Sequence, residues 1–302
     1  WQLCVVQGLM IGMLGSAVTF APLVADTSHW FVRQRGIAVG IVISGNYLAG
    51  AIWMPVIQNM VNSDGWRGAY ETLAVFCVLV MPVLAIVLYK RATVEKEDSA
   101  ANGTDRTERP LGMAPNMLQS CVCLAGIGCC VAMAVPQVHI IAYITDLGFE
   151  AIHGAWMGTI ALGCGIISRV VSGAISDRIG GLNTLLLGSG LQLLALCLYL
   201  PFKSLTALYL IAALFGLSQG GIVPSYTIIV RTFFKAADAG WRIGMALFFT
   251  LFGMALGGWL AGAIYDLTGS YDAAFINAIA FNIANLMIAA ELRRRANRFG
   301  VA

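Results

Sequence analysis

Arg169 stands inside the apolar run Ala155–Ile175, eight residues before the charged pair Asp177 and Arg178. At about 1.5 Å of helical rise per residue, it sits roughly 12 Å inward of that edge, near the middle of a hydrocarbon core about 30 Å thick. A guanidinium there costs at least about 2.5 kcal/mol, so a chain that keeps one needs a water-filled cavity or an anion to receive it. Gly165, Ser172, Gly173 and Ser176 fall on its face at helical spacing, with Ile166, Ile167, Val170 and Val171 on the other. The small residues leave room beside a fork of donors that matches a carboxylate, so the chemistry indicated is anion recognition. The competing reading is a structural arginine, paired with helix-end carbonyls or with an acid on a neighbouring helix.

Other polar residues in apolar runs offer less. His139 lies in Val138-His139-Ile140-Ile141-Ala142-Tyr143, and either lines the outer half of a path or is a buried histidine satisfied by nearby backbone. Asn46 and Tyr47 in one run, with Gln219, Ser225 and Tyr226 in another, can orient a substrate or serve as helix-packing contacts. No catalytic site is expected, because nothing brings together an acid, a base and a nucleophile. His29, His139 and His153 show no metal-ligand spacing, and the eight cysteines fall in apolar runs as packing residues, so neither metal nor cofactor is expected.

The elements that must position these groups are membrane spans. Of 302 residues 59% are hydrophobic and 11% charged, against about 25% charged in soluble domains. Windows of about 20 apolar residues predict nine spanning helices: Gln2–Val24, Gly36–Asn59, Gly68–Tyr89, Met117–Ile144, Gly154–Ile175, Leu182–Pro201, Leu205–Val230, Ile243–Tyr265 and Asp272–Glu291. The polar stretch Lys90–Pro115 reads as a linker, giving residues 1–89 as the last three helices of one bundle, 90–116 as linker and 117–302 as a six-helix bundle with a basic tail. Sorted by alternate connections, 15 Lys and Arg fall on one side and 2 on the other, Arg169 being the remainder of the 18. The positive-inside rule therefore puts the linker and C-terminus in the cytoplasm of a multi-pass protein of the cell membrane. Nine spans then put Trp1 outside, in apolar sequence with no methionine, basic flank or cleavable signal, and the expectation is that three spans precede it.

Gly173-Ala-Ile-Ser-Asp177-Arg178-Ile-Gly180-Gly181 occupies the short turn after the fifth predicted span. This resembles the Gly-x-x-x-Asp-Arg-x-Gly loop that the major facilitator superfamily carries between its eighth and ninth helices. The resemblance implies an all-α membrane fold of twelve helices, about nine of them present here, and a gating role for Gly173, Asp177, Arg178 and Gly180. An ordinary charged turn that anchors the helix is the alternative. Trp30-Phe31-Val-Arg33-Gln-Arg35-Gly-Ile-Ala38-Val-Gly40, running on to Ser44-Gly45, looks like the entry to the fifth helix of monocarboxylate-transporter-like and oxalate/formate-exchanger-like members. In those groups an arginine of the eighth helix contacts the substrate carboxylate, and Arg169 matches it; His139 matches a histidine-bearing stretch of the seventh helix. One departure stands out: where proton-coupled members carry an aspartate one turn before that arginine, this chain has Gly165. The function implied is secondary transport of a small organic anion, a mono- or dicarboxylate, by alternating access, with a proton or counter-anion as partner. A carrier of some other small molecule, drug-like or sugar, and a non-transporting sensor are the alternatives.

Overall fold

The computed structural model describes residues 5–6, 35–87 and 110–299. Among them every regular element is helical, as expected of apolar segments that must satisfy their own backbone in lipid. Seven stretches are long and apolar enough to cross a membrane. The predicted span Gln2–Val24 lies outside the described residues apart from Val5 and Val6, as do the Trp30–Arg33 motif and the linker from Lys90 to Glu108. By contact the chain divides into two units: Trp1–Ala49 with Asn59–Ala101, and Gly50–Gln58 with Asn102–Ala302.

The first helical element, α1 (Arg35–Val87), would be about 80 Å long as one rod, more than twice a bilayer's thickness. It is not one rod. The backbone leaves helical geometry at Gly65 (φ 72°, ψ 173°), which separates the two predicted spans on either side. In the first unit the contacts beside this break are local: Arg67 lies 4.3 Å over the ring of Trp66, and Trp66 meets Tyr70 edge to face.

The second unit carries α2 (Pro115–Val138), α3 (Ile140–Asp146), α4 (Ala151–Ile179), α5 (Gly181–Tyr199), α6 (Leu205–Gln219), α7 (Ile222–Phe233), α8 (Ala236–Thr268) and α9 (Tyr271–Arg298). Two predicted spans are broken helices. Met117–Ile144 carries Pro136 within α2 and divides at His139, between α2 and α3. Leu205–Val230 divides at Gly220 and Gly221, and the reason is Pro224: its ring opposes the Gly220 carbonyl four residues back and it offers no N–H. Between α4 and α5 the chain reverses on Gly180 alone, at φ 80°, a conformation costly for any residue with a Cβ. Ser270 starts α9 by accepting the Asp272 amide at 3.1 Å. Both ends of the last two helices extend past expectation, α8 starting at Ala236 and α9 ending at Arg298.

Small residues bring the helices together where lipid gives no hydrophobic drive. Gly253 and Gly257 of α8 lie against α2; a methyl group at Gly257 would sit 2.7 Å from the Val131 Cα. Residues 50–58 of α1 pack on α4 in the same way, Thr159 donating to the Ala51 carbonyl at 2.8 Å. At the far end from the basic tail, Tyr199 stacks on Phe275 at 4.8 Å and Tyr143 meets Phe275 edge on. Lys203 closes this cluster, bonding the Tyr143 hydroxyl at 3.2 Å and pairing with Asp272. Partial burial alone pushes the Lys203 ammonium down, but Asp272 and Tyr143 together carry its pKa above the ordinary value.

Two outcomes follow for the thermal stability of the purified protein. Gly257→Val should destabilise by about 1–3 kcal/mol through overpacking against Val131, whereas Gly163→Ala, with nothing within 4 Å of the added carbon, should leave the melting temperature unchanged or slightly raised. Lys203→Met should cost about 0.5–1 kcal/mol, as half-exposed pairs do. Because the folded pKa is raised, that contribution is complete below the unfolded value of about 10.4 and fades as pH rises through the folded one, so wild type and variant should converge only in strong alkali.

Candidate functional site

Arg169 belongs to α4, ten residues before the helix ends at Ile179, and its side chain is half-buried. Its seat is made by the break in the neighbouring helix. A Cβ at Gly220 would come 2.5 Å from the Arg169 amide nitrogen and 2.7 Å from the Ser168 Oγ, so α4 and the α6–α7 junction touch backbone to backbone here. Gly221 does the same against Ser172. One turn along, Ser168 donates from Oγ to the Leu217 carbonyl at 2.5 Å, occupying an acceptor that the approaching break leaves available. The face differs in detail from the sequence reading. Gly165, Ser168 and Ser176 are buried, while Gly173 is exposed along with Ile167, Val170 and Val171.

A second polar contact starts from the same break. Gln219, the last residue of α6, is buried; its Nε2 lies 3.5 Å from the Ala161 carbonyl of α4, and its Oε1 accepts from Gln137 of α2. Gln137 was not singled out in the sequence, where an amide beside a proline in an apolar run looks like any other packing residue. The readable signal is its position, two residues before the interruption at His139.

The remaining candidates are dispersed. His139 sits at the α2–α3 division with both ring nitrogens engaged: Nε2 lies 2.9 Å from the Gly258 carbonyl and Nδ1 3.3 Å from the Tyr271 hydroxyl. The carbonyl can only accept, so Nε2 carries a proton, and in the neutral ring Nδ1 accepts from Tyr271. Tyr226 is fully buried and donates to Asn285 at 3.2 Å; Asn285 in turn donates to Ser189 at 2.8 Å, and Asn282 donates to the Ser189 carbonyl at 3.0 Å. That network ties α7, α5 and α9 together and leaves Tyr226 1% exposed. Asn46 is exposed and Tyr47 half-buried on α1, both in the first unit. Asp177 and Arg178 are exposed in the last turn of α4, directly before Gly180. Among the described residues no group of three or more His, Cys, Asp or Glu is arranged to hold a metal.

Arg242 stands one residue before the predicted span Ile243–Tyr265, yet it lies within α8 and is 5% exposed, its guanidinium 4.4 Å from the ring centres of both Phe234 and Trp241. Nη2 is 3.9 Å from Asp238, and the Arg242 carbonyl accepts from Gln119 at 3.1 Å. The Asp238–Arg242 spacing of four with an adjacent tryptophan was the available sign of a helix that starts early.

Known proteins match this sequence over most of its length. A family model of the Major Facilitator Superfamily matches residues 1–205 and 120–299. The chain is 28% identical to monocarboxylate transporter 13 of Rattus norvegicus over 91% of its own length and 64% of that protein's. It is 25% identical to monocarboxylate transporter 11 of Mus musculus, over 95% of this chain and 66% of the relative, and 24% identical to the MFS-type transporter opdF of Penicillium oxalicum, over 100% and 70%. It thus spans about two thirds of the length of these relatives. A chain whose described residues form only helices, several of them apolar spans, and which the family model matches along nearly all its length, is a multi-pass membrane protein that belongs to the Major Facilitator Superfamily.

Proposed function

We propose that this chain carries a small organic anion, a mono- or dicarboxylate, across the membrane by alternating access, with Arg169 as the anchor for the carboxylate. The observation that carries the reading is the seat of Arg169: a guanidinium ten residues inside a span, on backbone clamped by Gly220. A clamped backbone keeps the fork of donors at a fixed depth, and a bound carboxylate offsets the cost of holding that charge in a low-dielectric site. Two relatives, monocarboxylate transporters of rat and mouse by name, support the substrate class.

In this reading His139 orients the rest of the substrate and Tyr226 acts through the network that steadies α7, while Asn46 and Tyr47 are polar groups offered by the first unit. Asp177 and Arg178, held at the turn by Gly173 and Gly180, gate the cytoplasmic side. The membrane is the cell membrane, and the C-terminus is cytoplasmic, as the one-sided division of basic residues implies even with Arg242 set apart. Gly165 stands where a coupling acid would be expected, so the driving partner is either a proton held elsewhere or a counter-anion exchanged for the substrate.

Reconstituted protein tests both roles. Arg169→Ala should insert normally but lose uptake of labelled carboxylate by on the order of 100-fold or more, since stripping one partner from a buried charge pair costs about 3–5 kcal/mol; unchanged uptake would sink the assignment. Asp177→Asn should shift the balance of inward-facing and outward-facing states, read by cysteine-accessibility labelling, more than it shifts substrate affinity. A pure affinity change with unaltered labelling would count against gating.

A further inference from the structure

Gln137 and Gln219 join α2 to α6 at the points where both helices break. The direction of their bond is set from one side. The Ala161 carbonyl can only accept, so the Gln219 carboxamide turns Nε2 toward it and has only Oε1 to offer Gln137. Gln137 answers with its own Nε2, in a short bond. Its Oε1 then accepts no hydrogen bond among the described residues. Gln219 is 1% exposed and Gln137 only half-buried, so the open end of this chain of amides is the Gln137 acceptor.

A carboxamide oxygen takes a hydroxyl or amide N–H and disfavours a carboxylate. Ala161 and Arg169 stand eight residues apart on α4, about 12 Å of rise. The amide pair and the backbone of Arg169 therefore sit at different depths along α4, which suits two separate groups of an elongated ligand better than one functional group.

We propose that Gln137 is a specificity-determining residue which selects, among anions anchored at Arg169, a monocarboxylate whose far end bears a hydrogen-bond donor, and that Gln219 is the positioning residue that aims it. The inference rests on the anion-carrier reading above and narrows it, setting a hydroxyl-tailed monoacid ahead of a dicarboxylate.

Binding to the purified protein is measured with three six-carbon probes: hexanoate, 6-hydroxyhexanoate and hexanedioate. Wild type should bind 6-hydroxyhexanoate about ten-fold more tightly than hexanoate, the worth of one good hydrogen bond, and hexanedioate least well. Gln137→Leu should bring the hydroxy acid down to the affinity of hexanoate while hexanoate itself is unchanged, which also shows that the variant is folded. Gln219→Met should reduce the ratio with hexanoate again unchanged. Equal loss of all three anions in Gln137→Leu overturns the proposal, because Gln137 is then a structural residue. Equal binding of hexanoate and 6-hydroxyhexanoate by wild type, abolished by Arg169→Ala, overturns this inference alone, whereas wild-type protein that binds none of the probes removes the anion reading with it.

Discussion

The constraint on which the second unit depends is the contact between a broken helix and an unbroken one. Pro224 forces the interruption, and the missing side chains of Gly220 and Gly221 let α4 pass so closely that none fits between the backbones. An interruption at membrane depth is tolerated only where protein covers its polar groups, and Ser168 supplies part of that cover from the residue next to Arg169. The break and the arginine are therefore one structural problem with one solution. The same contact that satisfies the backbone of α6 fixes the height of the guanidinium on α4, and a shift of either helix by one residue would undo both.

Polar satisfaction elsewhere sorts the bundle into rigid and less determined parts. On the α5, α7 and α9 side, Tyr226, Asn285, Asn282 and Ser189 bond one another in a closed set. At the α3 end, Lys203, Asp272, Tyr143 and Tyr199 form a mixed aromatic and ionic cluster. Around Arg242 the accounting is incomplete: Nε and Nη1 of the guanidinium and Oε1 of Gln119 are buried without hydrogen-bond partners among the described residues. A donor pair and an acceptor left in one place are the usual setting for buried water, and such a site is softer than side chains bonded directly.

The spans were legible in the sequence because lipid enforces a simple rule of length and apolarity, and the described long helices overlap the predicted windows, though two windows hold broken helices and α8 and α9 run past theirs. Arg169 was legible for the same reason, being a charge where the rule forbids one. What the sequence hid was geometry made by pairs of distant residues. Gln137 and Gln219 are 82 positions apart, and neither amide has a local sign of the other. His139 carried two open readings, and its bonds to Gly258 and Tyr271 depend on α8 and α9, which no local pattern predicts. The setting of Arg242 was hidden for another reason: a guanidinium can stay inside a helix when aromatic rings cover its faces, and Phe234 and Trp241 meet it only once the helix has formed.

The asparagine network has a further consequence, for how the chain can change over generations. Asn285 donates to Ser189 and accepts from Tyr226, so replacing it alone strands a buried partner on each side. Ser189 is likewise held by two asparagines on successive turns of α9. Neutral drift at any one of these four positions is closed until another has moved, and they should substitute as a group or persist together, whatever substrate the lineage comes to carry.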